Sequence, residues 1–288
     1  MKKIYLGIFL MSIFCVYAFD SSFLINFSIE PSSINTTEPV KSLALLNEGL
    51  VINRSGKIYR TKFLGNNDVE IYEESTDLSN LGIEGQFSEY KNVIYYSSNG
   101  VLYSVSMHNG IWDAPVELSI AGYEKGRQAS KGGSLLYGKW RYVSKGAEKD
   151  KMYNPFITNR GTRLYFSSKM EGGKGGMDIW YMELEKDGVS WSKPVNAKEV
   201  NTAANEDYPF VDINNMMYFS SDRPSRFRGY NIYKKFMLDN SDVMVLDEKF
   251  NTDGDETNFV VSGGIPFFLT NKKGLSQMYF AKDNKRDE

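Results

Sequence analysis

Cysteine and histidine are almost missing from this sequence: Cys15 and His108 are the only copies in 288 residues. Cys15 lies in an N-terminal stretch that reads as a secretory leader. Lys2 and Lys3 supply the positive end, residues 4–16 the apolar centre, and Val16-Tyr17-Ala18 the residues before a cut after Ala18. The apolar run is short for a bilayer span, and no other segment approaches its hydrophobicity. A lipidated cysteine needs a small residue before it; Phe14 stands there, which argues against a lipid anchor. With the leader removed the chain has no disulfide framework, no thiolate nucleophile and no cysteine-based zinc site. His108 precedes Asn109-Gly110 in a predicted hairpin turn, whereas a Ser-His-Asp system needs a buried, oriented base. Catalysis through His or Cys is therefore not expected, and no cofactor is. A strong charge of either sign is also lacking. The chain has 34 basic and 36 acidic residues, and losing Lys2 and Lys3 makes it slightly more acidic, which argues against nucleic acid as a partner. Proline is sparse, with eight copies, and no long segment shows the 3.6-residue apolar period of a surface helix.

Tyrosine and phenylalanine, by contrast, are abundant, with 19 and 18 copies, and they sit in short β-rich runs that repeat. The clearest pair is Arg163-Leu164-Tyr165-Phe166-Ser167-Ser168 and Met216-Met217-Tyr218-Phe219-Ser220-Ser221. Val93-Ile94-Tyr95-Tyr96-Ser97-Ser98 is a third copy, and Ile265-Pro266-Phe267-Phe268-Leu269-Thr270 a weaker fourth. Turn residues precede each copy, and further strands flank it. Upstream stand Tyr153-Asn154-Pro155-Phe156, Tyr208-Pro209-Phe210-Val211 and Thr257-Asn258-Phe259-Val260. Downstream, after a Gly-containing loop, come Asp178-Ile179-Trp180-Tyr181, Asn231-Ile232-Tyr233 and Leu102-Tyr103-Ser104-Val105. Two copies continue through a turn into a predicted Trp strand, Trp191-Ser192-Lys193-Pro194 and Trp112-Asp113-Ala114-Pro115.

Four strands joined by tight turns form the antiparallel blade of a propeller. The repeats recur at intervals of about 44 to 53 residues, close to known propeller periods. The interval from Tyr95 to Tyr165 is longer, about 70 residues, and contains Ser134-Leu135-Leu136-Tyr137 and Trp140-Arg141-Tyr142-Val143, which read as a shortened blade. The fold class is thus all-β, a single β-propeller of six blades; a five-bladed ring with a long insertion is the alternative. The last repeat stops after its third strand, Gln277-Met278-Tyr279-Phe280, while residues 23–29 form an orphan strand at the other end. Closure of the ring by that N-terminal strand would remove an exposed sheet edge. A link, Ile34-Asn35-Thr36, Val200-Asn201-Thr202 and Phe250-Asn251-Thr252, joins one blade to the next. The expected layout is a leader over 1–18, the propeller over 19–281 and a charged tail over 282–288.

The unit running from Pro155-Phe156 through Asn159-Arg160-Gly161, Leu164-Tyr165-Phe166-Ser167-Ser168, Gly175-Gly176-Met177-Asp178-Ile179-Trp180-Tyr181 and Trp191-Ser192-Lys193-Pro194 to Glu206-Asp207 resembles the TolB-like propeller repeat of Gram-negative envelope proteins. It is similar to propellers that in longer relatives precede an OmpA-like peptidoglycan-binding domain, some of them type IX secretion components. The likeness is specific over residues 150–235, recognisable over 84–118 and faint over 33–72 and 120–150. It implies a periplasmic location at the outer membrane and a non-enzymatic scaffold whose partners are other envelope proteins, an outer-membrane complex among them. It supplies no active site.

Paired carboxylates are the remaining route to catalysis, and glycan binding or cleavage is the alternative function. Glu206, Asp207, Asp212, Asp255 and Glu256 lie near the expected inner strands. A glycosidase needs two acids in unlike surroundings. Here acids recur with the repeat, which suits a structural role in which they bind backbone N–H groups between blades. Asp178 and Asn231 are expected to cap the Gly-containing loops before them. Gly172, Gly173, Gly175 and Gly176 superficially suit a phosphate cradle, but a strand follows them where a helix would be needed. Residues 251–257 space oxygen side chains as calcium loops do, with glycine misplaced for an EF-hand. The candidate binding patch is basic: Arg223, Arg226 and Arg228 share one loop, and Lys169 and Lys174 the equivalent loop one blade earlier.

Overall fold

The computed structural model describes residues 27–47, 49–64, 68–121, 151–272 and 274–283. The leader, the shortened blade expected at Ser134-Leu135-Leu136-Tyr137 and Trp140-Arg141-Tyr142-Val143, and residues 284–288 lie outside them. β1 (Phe27–Pro31) opens the described chain. The first complete unit is β2 (Val40–Leu46), β3 (Gly49–Arg54), β4 (Lys57–Phe63) and β5 (Val69–Glu74), followed by the short helix α1 (Thr76–Ser79). The second is β6 (Ser88–Tyr90), β7 (Val93–Ser98) and β8 (Val101–His108), with β9 (Ile111–Trp112) and β10 (Val116–Glu117) both paired to β8. The third is β11 (Met152–Ile157), β12 (Arg163–Ser168), β13 (Asp178–Glu183) and β14 (Val195–Asn196); the fourth is β15 (Glu206–Val211), β16 (Met216–Ser221), β17 (Asn231–Phe236) and β18 (Met244–Val245). β19 (Asp255–Ser262), β20 (Ile265–Lys272) and β21 (Leu275–Asp283) make the last, and β1 completes it by pairing antiparallel to β21.

The inner strands touch in ring order: β2 meets β6, β6 meets β11, β11 meets β15, β15 meets β19, and β19 returns to β2. The fold is therefore an all-β propeller, closed by its N-terminal strand. β11 also lies directly against β7, so no described unit stands between the second and third sheets. Among the described residues no helix is long and apolar enough to cross a membrane.

Local chemistry explains two details. The outer strand of the third unit begins at Val195, just after Trp191-Ser192-Lys193-Pro194, and that of the second at Val116, just after Pro115. The strand expected at Trp191 is thus shifted, whereas Trp112 does lie in a strand, β9, opposite Met107 of β8; Pro115 and Pro194, without an N–H to give a ladder, stand before the outer strands. Trp191 makes only isolated bridges, to Ile120 and Leu184, and its fully buried ring meets Tyr95 edge-on. The linking asparagines extend the sheets. Asn201 donates from Nδ2 to the Ile179 carbonyl at 2.7 Å and accepts the Ile179 N–H at 2.8 Å. Asn251 does the same to Ile232, and Asn35 to Met278. One side-chain amide so substitutes for a residue of strand and satisfies both backbone groups of its neighbour.

Between the sheets the core is aromatic. Tyr218 stacks on Phe259 with centroids 4.7 Å apart, and Phe156 meets Phe210 edge-on at 5.1 Å. Such pairs add about 0.5–1.5 kcal/mol each beyond the area they bury. The closing strand is anchored in the same way: Phe27 is buried, stacks on Phe250 at 5.3 Å and lies beneath the Lys249 ammonium. Phe27→Ala is expected to cost about 3–5 kcal/mol, read as a lowered melting temperature. An unchanged melt would show that β1 does not hold the ring closed.

Candidate functional site

The inner strands converge on the axis, and three of them carry the same irregularity. Register slips between Tyr153 and Phe156, Asp207 and Phe210, and Thr257 and Val260 place Asn154, Tyr208 and Asn258 at positive φ, 52°, 53° and 51°. These bulges turn side chains along the axis. The Asn154 side chain accepts the Gln86 N–H at 2.8 Å and donates to Asp207 at 2.7 Å. The Gln86 side chain crosses the centre, donating to the Pro209 carbonyl at 2.7 Å and accepting from Asn258 at 2.9 Å. Asn258 in turn accepts the Leu43 N–H. Gln86, Asn154 and Asn258 are all buried. This network ties the five described inner strands together.

At the mouth of the axis is a recess of about 420 Å³ lined by Lys41, Asp207, Tyr208, Tyr230, Asp255 and Asn271, among others. Strand direction decides this gathering. β2, β15 and β19 all begin on this face, and the antiparallel registers bring the end of β16 and the start of β17 to the same side. Asp207 Oδ1 accepts the Asn154 amide and the Tyr208 N–H, each at 2.7 Å. Burial nevertheless pushes its carboxyl above the usual carboxylate range. Asp255 accepts the Tyr230 N–H at 3.0 Å. Burial, followed by the negative charge of Asp207, raises the Tyr230 phenol; Asp222, Asp255 and Glu206 act in the same direction. Tyr208 is raised by burial and by Asp207. Both phenols therefore keep their protons and remain hydrogen-bond donors.

The remaining acids serve the frame. Glu206 is fully buried and accepts Thr202 N–H and Oγ1–H and Ser221 Oγ–H; Glu256 accepts Thr252 N–H and Oγ1–H and Thr270 Oγ1–H. Asp212 accepts the Asn214 and Met216 N–H groups in its turn. Asp178 Oδ2 takes the Lys174 and Gly175 N–H groups, so the amides of the Gly-rich loop face a carboxylate of their own chain and are not arranged around an anion. Asn231 differs from the expected loop cap: its amide donates to the Gly229 carbonyl. In 251–257 the oxygens of Asn251, Asp255 and Glu256 are turned to Ile232, Tyr230 and Thr252 respectively. His108 is exposed and bonded to Asp113 at 2.7 Å.

Of the five basic residues of the candidate patch, two are engaged within the frame and three are exposed. Arg223 is tucked inward: it pairs with buried Glu206 at 3.0 Å, donates to the Val200 carbonyl at 2.6 Å and lies over the rings of Phe219 and Tyr233. Lys174 bends back to the carbonyls of Lys198 and Asn201. Arg226 is exposed and paired with Glu248 at 3.2 Å, and Lys169 and Arg228 are exposed. Sequence reasoning found Asp207 and Asp255 but missed Lys41, Tyr208, Tyr230 and Asn271 as neighbours. The legible signal was Asn154-Pro155 and Tyr208-Pro209 at one register, since a proline inside a strand marks a bulge.

No protein-family profile and no curated protein sequence matches the chain. Among solved structures it is similar to an endo-arabinase from Bacteroides thetaiotaomicron, at a TM-score of 0.46 and 15% identity over 89% of this chain and 96% of that one. It is similar to a luciferin-regenerating enzyme, at 0.45 and 8% over 89% and 95%. It is also similar to TolB from Acinetobacter baumannii, at 0.41 and 10% over 85% of this chain and 55% of that one. Propellers host many unrelated functions, so function has to be read from the site.

Arg223→Ala would strand Glu206 in the interior, at an expected cost of about 3 kcal/mol by thermal or denaturant unfolding. Arg226→Ala and Arg228→Ala, both on the surface, should change stability by less than about 0.5 kcal/mol. Equal effects from the three would contradict the inward placement of Arg223. Asp207 yields a pH dependence. Its folded form holds the proton more tightly than the unfolded chain, so the stability it contributes is full below the unfolded value of about 3.9 and is lost as pH rises through the raised folded value. The melting temperature of the unsubstituted protein should therefore fall, relative to that of Asp207→Asn, as pH rises from about 4. Parallel profiles would show that Asp207 titrates normally.

Proposed function

We propose that this protein is a non-enzymatic propeller scaffold, exported to the periplasm, that binds other cell-envelope proteins as part of an outer-membrane complex. Assignment to the TolB-like repeat family belongs to the same proposal. The observation that carries it is the matched use of Glu206 and Glu256. Each is held by a threonine four residues earlier and by a hydroxyl of the second strand, as repeated architecture requires. What the rigid ring leaves for recognition is its entry face, with the axial recess at the centre and the loops bearing Lys169, Arg226 and Arg228 around it. The export reading rests on the leader pattern of residues 1–18.

A second reading, glycan binding, is favoured by one feature: Asp207 and Asp255 occupy non-equivalent repeat positions yet line one recess with two tyrosines. Affinity purification of the tagged protein from its native membranes separates the two. Co-purification of outer-membrane proteins, with no hydrolysis of chromogenic glycosides, is the expected result. Recovery of a free monomer that binds a glycan array would replace the scaffold reading with the second one.

A further inference from the structure

We propose that the axial recess is a receptor for one cationic side chain, an arginine or lysine, presented by a protein partner; the proposal rests on the partner-binding reading above. Four features of the recess point the same way. Its polar wall is rich in acceptors. Asp207 and Asp255 come from the starts of different inner strands, and the second oxygen of Asp255 has no partner among the described residues. Asn271 adds a buried Oδ1 that is likewise without a hydrogen bond. An acceptor buried without a donor is costly unless something supplies one. A guanidinium or ammonium offers only donors, whereas a sugar hydroxyl brings an acceptor with every donor and a phosphate brings acceptors alone.

The aromatic wall is the second feature. Tyr208 and Tyr230 line the same recess, and a cation gains from a position over such rings. Third, Tyr208 holds a left-handed backbone position that asparagine fills in the two neighbouring repeats. Asparagine tolerates that conformation; a bulky aromatic is strained in it. The bulge itself does not ask for tyrosine, and the residue that stands there lines the recess. Fourth, the local field is negative. Glu206 is neutralised by Arg223 at 3.0 Å, but no ion pair of Asp207 or Asp255 is found among the described residues. Lys41, exposed at the rim, is the nearby cation of the chain itself and would compete with an incoming one. A volume of about 420 Å³ lies at the small end of ligand sites, which suits one long side chain and its flanking backbone.

The test is a titration of the full mature protein, followed by NMR or calorimetry. The probes are acetyl-Gly-Gly-Xaa-Gly-Gly-amide peptides with Xaa as Arg, Lys, Gln or Glu, together with an N-acetylglucosamine oligomer. The Arg and Lys peptides should bind saturably. Asp255→Asn lies outside the axial amide network, so its melt should be unchanged; it should weaken binding about tenfold, the size of a lost charge-assisted contact. Lys41→Met should tighten binding. No saturable binding of the Arg and Lys peptides overturns the proposal. So does equal binding of the Gln peptide, binding of the sugar alone, or cation binding unchanged by Asp255→Asn. The membrane purification separates the two levels. A partner captured by the unsubstituted protein and lost with Asp255→Asn supports the cation receptor. A partner retained by that variant overturns the receptor and leaves the scaffold standing. Capture of nothing by the unsubstituted protein overturns the scaffold, and the peptide titration then decides the recess alone.

Discussion

At the axis of this propeller the inner strands come close enough that their backbone groups must find partners among one another, and Gln86, Asn154 and Asn258 provide them. Gln86 reaches from the second sheet to the fourth and fifth, Asn154 joins the second to the fourth, and Asn258 joins the fifth to the first and second. A buried peptide group left unpaired costs about as much as a lost hydrogen bond, so a ring of this kind is stable only if its centre is fully connected. The three side chains are amides, and one of them, Asn154, reaches the fourth unit through the Asp207 carboxyl. The bulges that aim two of them follow from the same requirement, because a regular strand would turn those side chains into the sheet faces.

The network has a consequence for recognition. It closes the centre of the ring and leaves a shallow mouth above it, whose floor includes Asp207. That residue belongs to both levels: it takes the Asn154 amide from below and faces the recess from above. Outward from the axis, Asn201, Asn251 and Asn35 tie the links after the third, fourth and fifth units to their sheets, and Thr–Glu pairs brace the first two of these links. Arg223 belongs to that frame. Its guanidinium is better satisfied between two rings and a buried carboxylate than in solvent, which is why a cation that looks like surface decoration in sequence lies inside the structure.

Much of the architecture was legible because it rests on local, repeated chemistry. The Tyr-Phe-Ser-Ser strands, the Val-Asn-Thr links and the orphan N-terminal strand each announce a role that depends on near neighbours and on the period of the repeat. The Trp191 strand was misplaced by a few residues, since Pro194 has no N–H to give a ladder there, whereas Trp112 lies in β9. The candidate site was half legible. Asp207 and Asp255 could be singled out by type and position, but Lys41 is more than 160 residues from Asp207 in sequence, and only ring closure brings the two to one mouth.

By itself, then, the sequence determined that the protein is a repeat-built β structure closed by its own N-terminal strand. Those conclusions follow from composition, alternation and period, which act over a few residues. Tertiary structure alone decided which acids are engaged in the frame and which line a cavity, and that Arg223 turns inward to Glu206. It also decided that Tyr208 stands at a strained position beside two carboxylates. These depend on what approaches from other strands, and for buried charges and unpaired acceptors that surrounding sets the free energy.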